Sequence, residues 1–541
     1  MLHKNIKTIK ECVVVIYKKL TLLALETLLK NRFKEGFLSL KDLPQPSTFK
    51  DMDKATERIV SAIKNREKIT IIGDYDVDGV TSTTLMKLFF EEIEYPLEWI
   101  IPNRFKDGYG LSANIIPHIE GCDLAITVDN GISAVEAATL CKKKGIDLII
   151  TDHHLLAPQL PDAYAIIDQK QPECTFPYEE VCGAQIAWYL IASLKNALEV
   201  KINMIEYMEL VAIAIIADMM PLQHINRAMV EVGIKALNSS KKPAIKAFLE
   251  HTQKEFMTAE DIGFFLAPLL NSAGRMEDAK YAVEFLVSTN IYDARVRLGQ
   301  LVDFNNARKT TEQEITAKAL AQVDPKGKVI VVQGEAWHEG VVGIVAARVA
   351  RYHEKPCIVL SNNGEGILKG SGRSFGSSDL FGIVDECREH LEKFGGHSAA
   401  IGLSLKFESL EAFKMQLKKS YVKRNFVKEE VDPDIIGELH FSNISFELTK
   451  LMKRYEPYGQ GNPTPKFISK NVHLLQVDTM GKEGEHRRFA FEQEGIVMQG
   501  VEFKTQKVYE VGSQADVIYT VNENHFRGNV TLQLMVEKIV Q

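Results

Sequence analysis

Residues 69–82 read ITIIGDYDVDGVTS, and this stretch decides the fold. The short β-branched run Ile69–Ile72 is typical of a buried parallel strand, and residues compatible with a helix follow from Val80 to about Glu92. The turn between them carries three carboxylates on alternate positions: Asp74, Asp76 and Asp78. Open α/β sheets bind ligands at the carboxyl ends of their strands, so these acids are candidates for a functional site.

The crowding of these acids predicts a bound cation. Neighbouring carboxylates repel one another and raise each other's pKa, so they stay ionised together only if a positive charge neutralises them. Oxygen-rich sites favour hard ions such as Mg²⁺ or Mn²⁺. The alternative is an Asp-rich turn in which one aspartate simply caps the following helix.

Three further segments supply ligands of the same type. The candidate strand Leu124–Val128 runs into Asp129, and Leu148–Thr151 runs into the trio Asp152, His153 and His154. The apolar segment 211–222 carries a single charge, Asp218. A buried lone carboxylate is costly unless it is paired, protonated or bound to a metal, although a helix-terminal aspartate could instead accept nearby N–H groups.

The candidate ligands now number five aspartates (Asp74, Asp76, Asp78, Asp129 and Asp218) and one or two histidines, which are too many for one ion and suit two. Two ions about 3.5–4 Å apart activate a water and stabilise the attacking and leaving oxygens of an in-line phosphoryl displacement. The spacing alone therefore predicts a two-metal phosphoesterase.

Composition sets the broad class. A chain of 541 residues, 45% hydrophobic and 25% charged, predicts a soluble globular protein of several domains. The net charge of −7 requires any nucleic-acid site to be a local basic groove. The seven scattered cysteines without a CxxC pair favour free thiols in a reducing cytoplasm. No apolar run reaches membrane length and no cleavage site is convincing, so we expect a cytoplasmic protein without membrane contact.

Strands and helices alternate from Ile69 to about Asp168, which predicts an α/β fold with a mostly parallel sheet. A second α/β unit begins at Lys328, and the chain after Pro465 is rich in short strands, as in a small barrel. The predicted domains are a leading helical segment (1–45), a catalytic domain with a helical extension (46–290), a long connecting helix (291–325), a second α/β domain (326–426) and a barrel (434–541).

Several motifs resemble those of a known family. GDYDVDGVTS, TVDNGI and TDHH, in that order, resemble the signature of the DHH phosphoesterase superfamily. The fuller set resembles the RecJ family within it: PNRFKDGYG (102–110), AIIADMMPL (214–222), NSAGRM (271–276), WHEGVVGIVAARV (337–349), GSGRS (370–374), FGGHSAAIGL (394–403) and PYGQGNPTP (457–465). The resemblance implies a DHH domain, a DHH-associated substrate-binding domain and an OB-fold barrel. It also implies a 5′→3′ exonuclease specific for single-stranded DNA, which releases 5′ mononucleotides and acts in DNA repair and recombination.

The resemblance also implies ligand sets for two divalent cations, Mn²⁺ or Mg²⁺. One ion would be held by Asp74, Asp76 and Asp129. The other would be held by Asp78, Asp129, His153 and Asp218, with Asp129 bridging. His154 would lie beside the leaving oxygen or a phosphate as a proton donor or hydrogen-bond donor, and Asp152 would orient an adjacent histidine.

The remaining motifs predict residues that bind nucleic acid. The substrate-binding candidates are Arg104, Tyr109, Arg275, Ser371, Arg373 and His397. The arginines offer forks for phosphate, and Tyr109 offers a ring for base stacking. The barrel adds charged and aromatic candidates: Lys466, Lys482, Arg487, Arg488, Lys504, Lys507, Arg527, Phe489, Phe503 and Phe526. We expect a monomer acting on single-stranded DNA, with a helicase and a single-strand-binding protein as possible partners.

Two other functions compete with this one. A DHH-family phosphodiesterase of small substrates, such as oligonucleotides, cyclic dinucleotides or polyphosphate, would use the same metals but needs no module that guides a strand. A non-catalytic relative serving as a replication scaffold would have lost metal ligands, whereas all of them are present here.

Overall fold

The computed structural model describes residues 6–9, 12–15, 17–364, 366–424, 434–481, 483–505, 507–526 and 528–540. Within these residues, no helix is both long enough and apolar enough to cross a membrane. The architecture is α/β with a separate closed barrel, as the sequence predicted.

The first sheet is entirely parallel, and its central strands Ile69–Ile72 and Leu124–Val128 are buried on both faces. Its strands, in spatial order, are Glu98–Ile100, Ile69–Ile72, Leu124–Val128, Asp147–Thr151 and Ala165–Ile167. All five run in the same direction, so their carboxyl ends meet at one edge of the sheet. This edge is the one at which the predicted metal ligands follow the strands.

Helices cover this sheet and extend the domain. The α-helices that precede the second sheet are Leu22–Lys30, Met52–Asn65, Val77–Glu92, Val135–Lys143, Gly183–Ala197, Met208–Ala217, His224–Asn238, Pro243–Thr252, Ala259–Asp261, Ala267–Met276, Lys280–Leu286 and Ile291–Leu320. A π-helical turn spans Ile262–Leu266, and short 3₁₀ turns lie at Leu40–Asp42, Pro46–Thr48, Ile116–Ile119 and Met204–Tyr207. The thirty-residue helix Ile291–Leu320 is about 45 Å long and leads to the second sheet, so the predicted long connecting helix is present.

The second sheet is mixed. Its strands, in spatial order, are Lys393–His397, Ala400–Lys406, Ile367–Arg373, Cys357–Asn362 and Ile330–Glu335. The helices around it are Val342–His353, Leu380–Asp385 and Leu410–Lys423, with 3₁₀ turns at Arg388–His390 and Phe407–Ser409. Glu312 of the connecting helix is fully buried between Arg308 and Arg348, and this ion-pair cluster fixes the helix against Val342–His353.

The carboxy-terminal strands close into a five-stranded barrel, because the first strand of the series pairs with both its neighbour in sequence and the fourth strand. The barrel strands are Lys466–Met480, His486–Gln493, Ile496–Glu502, Gln514–Phe526 and Asn529–Val540. The strand Ile435–Glu438 pairs at the edge, and the 3₁₀ turn Phe441–Asn443 and the helix Phe446–Lys453 connect it to the barrel.

The prediction of a helical leading segment was wrong for its first part. Ile6–Ile9 and Cys12–Val15 form an antiparallel hairpin, and the α-helix of this segment begins only at Leu22. β-branched residues such as those in the run 13–16 lose side-chain freedom in a helix and favour strands. The helix Leu22–Lys30 buries Leu25 and Leu29 in the hydrophobic core of the barrel domain, so the start and the end of the chain pack together.

Candidate metal centre

The carboxyl edge of the parallel sheet brings all the predicted metal ligands together. Three overlapping groups have ligand atoms that lie within 4.8 Å of one another: Asp74, Asp76 and Asp129; Asp78, His153 and Asp218; and Asp129, His153 and His154. The first two groups match the two ligand sets expected from the sequence, apart from Asp129 in the second set. Asp129 lies beside that set too, because its Oδ1 is 3.1 Å from Nε2 of His153.

Backbone N–H groups hold two of the acids in the turn after Ile69–Ile72. Asp76 caps the helix Val77–Glu92, and its Oδ1 accepts from the N–H groups of Asp78 and Gly79 at 3.0 and 3.2 Å. The oxygens of Asp78 accept from Gly183 and Ala184 at 2.6 and 2.8 Å, at the start of another helix. A helix N-terminus carries partial positive charge, so it stabilises the ionised form of Asp78.

Gly183 is a functional residue that the sequence did not reveal. Besides donating to Asp78, it lies so close to Asp129 that an added Cβ would be 2.5 Å from the Cβ of that aspartate. Asp129 itself adopts a left-handed backbone with φ of 63°, which is uncommon for a residue other than glycine. The absence of a side chain at Gly183 therefore leaves space for Asp129, whose backbone adopts a sparsely populated conformation.

His153 lies at the centre of the acids. Its Nε2 is 3.7 Å from oxygens of both Asp78 and Asp218, in addition to its approach to Asp129. Burial lowers the pKa of His153 to about 3, so the imidazole is neutral and has a lone pair available for a cation. The main-chain carbonyl of His153 accepts from Nζ of Lys170, another contact that the sequence did not predict.

The electrostatics of the cluster fit a divalent cation. Burial, followed by repulsion from neighbouring acids, raises the pKa of Asp78 to about 6 and that of Asp218 to about 8. The same two causes raise the pKa values of Asp74 and Asp129. Oδ1 of Asp74 and Oδ2 of Asp218 are buried without a hydrogen-bond partner among the described residues. A cation at this position would satisfy the lone oxygens and remove the repulsion.

His154 differs from His153 in its contacts and in the direction of its pKa shift. Oδ1 of Asp152 is 2.7 Å from its Nδ1, and Oδ2 of Asp152 accepts from the N–H of Ile132 at 2.8 Å. Although burial alone lowers the pKa of His154, the contact with Asp152 raises it to about 9. Its Nε2 is 3.3 Å from the hydroxyl of Tyr109, a ring that is 45% exposed. His154 is thus a protonated donor at the rim of the cluster, beside the tyrosine predicted to stack on a base.

The predicted arginines lie near one another. The guanidinium of Arg104 lies 4.0 Å from the ring centre of Tyr75, which stands between two of the acids and was not predicted as a site residue. Arg275 is half-buried and donates to the carbonyl of Gly340 at 3.1 Å. Burial, and then the charges of Arg104 and other arginines, lowers the pKa of Arg275 to about 10. Such a cluster of cations is suited to a phosphate.

Ser371 and Arg373 approach this cluster from the second sheet. Nη1 of Arg373 donates to Oγ of Ser371 at 2.7 Å. Both side chains lie at the start of the helix Val342–His353, because an added Cβ on Gly343 would be 3.0 Å from Nη2 of Arg373. Burial lowers the pKa of Arg373, and among the described residues no neighbouring carboxylate offsets this shift. The catalytic domain and the second sheet therefore both contribute cations to this cluster.

Two of the residues predicted to contact nucleic acid, His397 and Phe489, do not lie where a contact was expected. His397 lies exposed on Lys393–His397 and accepts from the N–H of Ala399, and none of its described contacts reaches the acids. In the barrel, Phe489 is only 1% exposed and belongs to the core, so its prediction as a base-stacking ring was wrong. Phe503 and Phe526 are 54% and 62% exposed, as a stacking role requires. Lys482 and Arg527 lie outside the described residues.

The raised carboxyl pKa values predict a pH-dependent metal site. Asp78 and Asp218 are partly protonated between pH 6 and 8, so a cation that binds to them in this range must displace protons. The affinity of the site for the cation should therefore rise by about tenfold per pH unit for each proton displaced. Without metal, unfolded aspartates ionise near pH 4, so folding stability should fall as pH rises through about 6 and then 8. Melting temperatures in Mn²⁺ and in chelator should therefore diverge from pH 5.5 to 8.5. Asp218→Asn should reduce the growth of this difference in melting temperature at the upper end of the pH range. An equal difference at every pH would contradict the prediction.

Comparison with known proteins agrees with the site and the fold. The model of the DHH family N-terminal domain matches residues 68–215, the DHHA1 domain model matches 326–423 and the RecJ OB domain model matches 435–538. Together with the cluster of acids and histidines at the sheet edge, these matches define a phosphoesterase of the DHH class.

Full-length relatives narrow the class further. The chain is 33% identical over 529 residues to the single-stranded-DNA-specific exonuclease RecJ of Salmonella typhimurium, covering 90% of each protein. It is 34% identical over 519 residues to RecJ of Bacillus subtilis, covering 93% of this chain and 65% of that protein. The chain therefore belongs to the RecJ family of single-stranded-DNA-specific exonucleases. It spans about two thirds of the length of the Bacillus relative and nine tenths of the Salmonella one.

Solved structures show the same fold. Crystal structures of RecJ from Thermus thermophilus in complex with Mn²⁺ and with Mg²⁺ superpose with TM-scores of 0.83 and 0.77, each at 24% identity. Each match covers 97% of this chain and 79% or 78% of the Thermus protein. The arrangement of the two sheets and the barrel is thus shared across these relatives.

Proposed function

We propose that this chain is an exonuclease that degrades single-stranded DNA in the 5′→3′ direction and releases 5′ mononucleotides. The observation that carries the proposal is the pair of ligand groups at one sheet edge, one made of Asp74, Asp76 and Asp129 and the other of Asp78, His153 and Asp218. When two divalent ions are bound, they supply an activated water and neutralise charge on the scissile phosphate. Mn²⁺ or Mg²⁺ suits these oxygen-rich groups.

The chain's own residues would divide the remaining work. Asp129 would serve both ligand groups, since it is within reach of the first group and of His153 in the second. His154, protonated and oriented by Asp152, would donate to the leaving oxygen or to a phosphate oxygen. The buried parts of the site would keep these donors and acceptors in place without rearrangement at the moment of reaction.

The polarity of degradation would come from the cluster of arginines beside the acids. A terminal 5′ phosphate carries more charge and more acceptor oxygens than an internal diester. Arg104 and Arg275 of the catalytic domain and Ser371 and Arg373 of the second sheet would close over that phosphate. Tyr109 would stack on a nearby base, and the exposed barrel rings Phe503 and Phe526 would hold the strand further along.

This proposal is favoured over the two alternatives. A phosphodiesterase of small substrates has no use for a closed barrel with exposed rings, and the chain matches RecJ relatives across that barrel as well. A non-catalytic scaffold would not need the complete set of acids and the neutral histidine assembled here. We further propose that the chain acts as a monomer in DNA repair and recombination, supplied with single strands by a helicase and a single-strand-binding protein.

A digestion experiment tests the proposal. Long single-stranded DNA, double-stranded DNA and short single-stranded oligonucleotides, each labelled at either end, would be incubated with Mn²⁺, with Mg²⁺ or with chelator. We expect mononucleotides from single strands only, early release of a 5′ label, late release of a 3′ label and no release in chelator. Early release of the 3′ label would overturn the polarity, and release from short oligonucleotides alone would favour the small-substrate phosphodiesterase.

A further inference from the structure

The motif PYGQGNPTP contacts the catalytic domain immediately after Asp218. In its loop Tyr458–Asn462, the carbonyl of Gln460 accepts from the N–H of Leu222 at 2.7 Å. The carbonyl of Gly461 accepts from Nε2 of Gln223, also at 2.7 Å. Leu222 is 2% exposed and belongs to the core of the catalytic domain. A barrel-domain loop is therefore bonded to the main chain four residues beyond a proposed metal ligand.

The glycines of this loop allow the close approach. An added Cβ on Gly459 would be 2.8 Å from Cδ1 of Leu222, which is closer than van der Waals contact permits. Gly461 has a φ of 71°, and an added Cβ there would be 3.0 Å from Cβ of Pro221. Both glycines thus meet the segment that follows Asp218.

Asn462 keeps the loop in shape. It is fully buried, and its Nδ2 donates to the carbonyls of Tyr455 and Pro457 at 2.8 and 3.0 Å. Its Oδ1 accepts from Nη1 of Arg32 at 3.0 Å, and the same guanidinium donates to the carbonyl of Pro463 at 2.6 Å. Since a buried side chain that loses these bonds leaves several polar groups unpaired, removal of Asn462 should loosen the loop.

Asp218 depends on its main chain more than Asp76, Asp78 and Asp152 do. Asp76, Asp78 and Asp152 each accept N–H groups that fix their carboxylates. Asp218 ends the helix Met208–Ala217, and its Oδ2 has no hydrogen-bond partner among the described residues. The next residue, Met219, has a left-handed φ of 56° and is 66% exposed, so little packing holds it. The N–H of Met220 bonds back to the carbonyl of Ile215 at 3.0 Å, and at Leu222 the chain is bonded to the barrel loop.

We propose that the loop Tyr458–Asn462 is a positioning element for Asp218, so that the barrel domain sets the metal affinity of the site formed by Asp78, His153 and Asp218. The proposal rests on the two-metal function proposed above. It assigns to this part of the motif a role in the metal centre, reached through the main chain of Pro221–Gln223.

The test is Mn²⁺ binding by Asn462→Ala, measured by calorimetry and by electron paramagnetic resonance without DNA. We expect one Mn²⁺ site to weaken by about 10–100-fold, the usual cost of disturbing a group behind a metal ligand, while the other site is unchanged. Turnover should recover at high Mn²⁺, and the KM for DNA should stay near the wild-type value. Asp218→Asn should weaken the same site, and the double variant should bind as Asp218→Asn alone.

The matched control is Gln493→Ala. Gln493 is also a buried barrel amide, which donates to the carbonyl of Lys470 at 2.8 Å and accepts from the N–H of Phe441 at 2.9 Å. Its loss should lower the melting temperature while leaving both Mn²⁺ sites intact. If Asn462→Ala does not fold, Gln223→Ala removes a single exposed bond to the loop and should weaken the same site several-fold.

The outcomes separate the two proposals. Wild-type affinity at both sites in the folded loop variants would overturn the positioning role. Equal weakening in Gln493→Ala would assign the effect to general loss of barrel stability and would overturn it as well. A wild-type protein that binds fewer than two Mn²⁺ ions would instead contradict the two-metal function, whatever the loop variants do.

Discussion

Replacement of Asp129 by alanine should abolish nuclease activity while the fold persists. This carboxylate lies within reach of both ligand groups, so its loss should weaken both metal ions at once. Changes to residues that merely support a metal ligand cost about 10–100-fold, so we expect a loss of at least about 100-fold here. The measurement is turnover on a long single strand at saturating Mn²⁺. Retention of more than about a tenth of wild-type turnover would contradict the two-metal assignment.

Two further variants separate chemistry from folding. Asp129→Asn keeps the size of the side chain and suits the left-handed backbone at this position, because asparagine adopts it more readily than most residues. It also removes one of several repelling buried carboxylates, so in chelator it should melt at the wild-type temperature or above. Asp123→Asn is the matched control, since Asp123 precedes the same strand and accepts from the N–H of Lys68 at the opposite edge of the sheet. It should leave turnover unchanged.

Replacement of Arg373 by alanine should reduce the preference for a 5′-phosphorylated strand. Arg373 is half-buried, its guanidinium is bonded to Ser371, and its charge acts on Arg275. Losing one charge-assisted partner of a phosphate should cost about 1.5–3 kcal/mol, or roughly ten- to a hundredfold. The measurement is kcat/KM on strands that differ only in a 5′ phosphate or 5′ hydroxyl. An unchanged ratio would assign Arg373 to general backbone binding.

Controls for this prediction lie in the same domain. Arg351→Ala removes an exposed arginine near the far end of the helix Val342–His353, whose start lies beside Arg373. It should leave the ratio of the two substrates unchanged. Arg373→Lys retains the charge but not the two-pronged donor, so it should restore only part of the preference.

The main features of the catalytic domain could be predicted from the sequence. Short β-branched runs that alternate with helices predict a parallel sheet, and acids that directly follow such runs must meet at one edge. For this reason Asp74, Asp129 and His153 were identified correctly as neighbours before any contact was known. The leading segment was misjudged because an apolar run of a few residues has no clear period, and its pairing partner decides its structure.

The tertiary structure alone decided the contacts that join distant parts of the chain. Gly183 beside Asp129, Tyr75 beneath Arg104 and Phe489 inside the barrel depend on how the elements pack, and no local pattern marks them. The loop around Gln460 meets Leu222 only because the barrel domain folds back onto the catalytic domain. A residue type in a repeating pattern determines which face of an element is buried, whereas the partner of that face is set by packing between elements far apart in sequence. The sequence thus determined which type of reaction this protein can perform, and the tertiary structure decided which residues position the reactive groups.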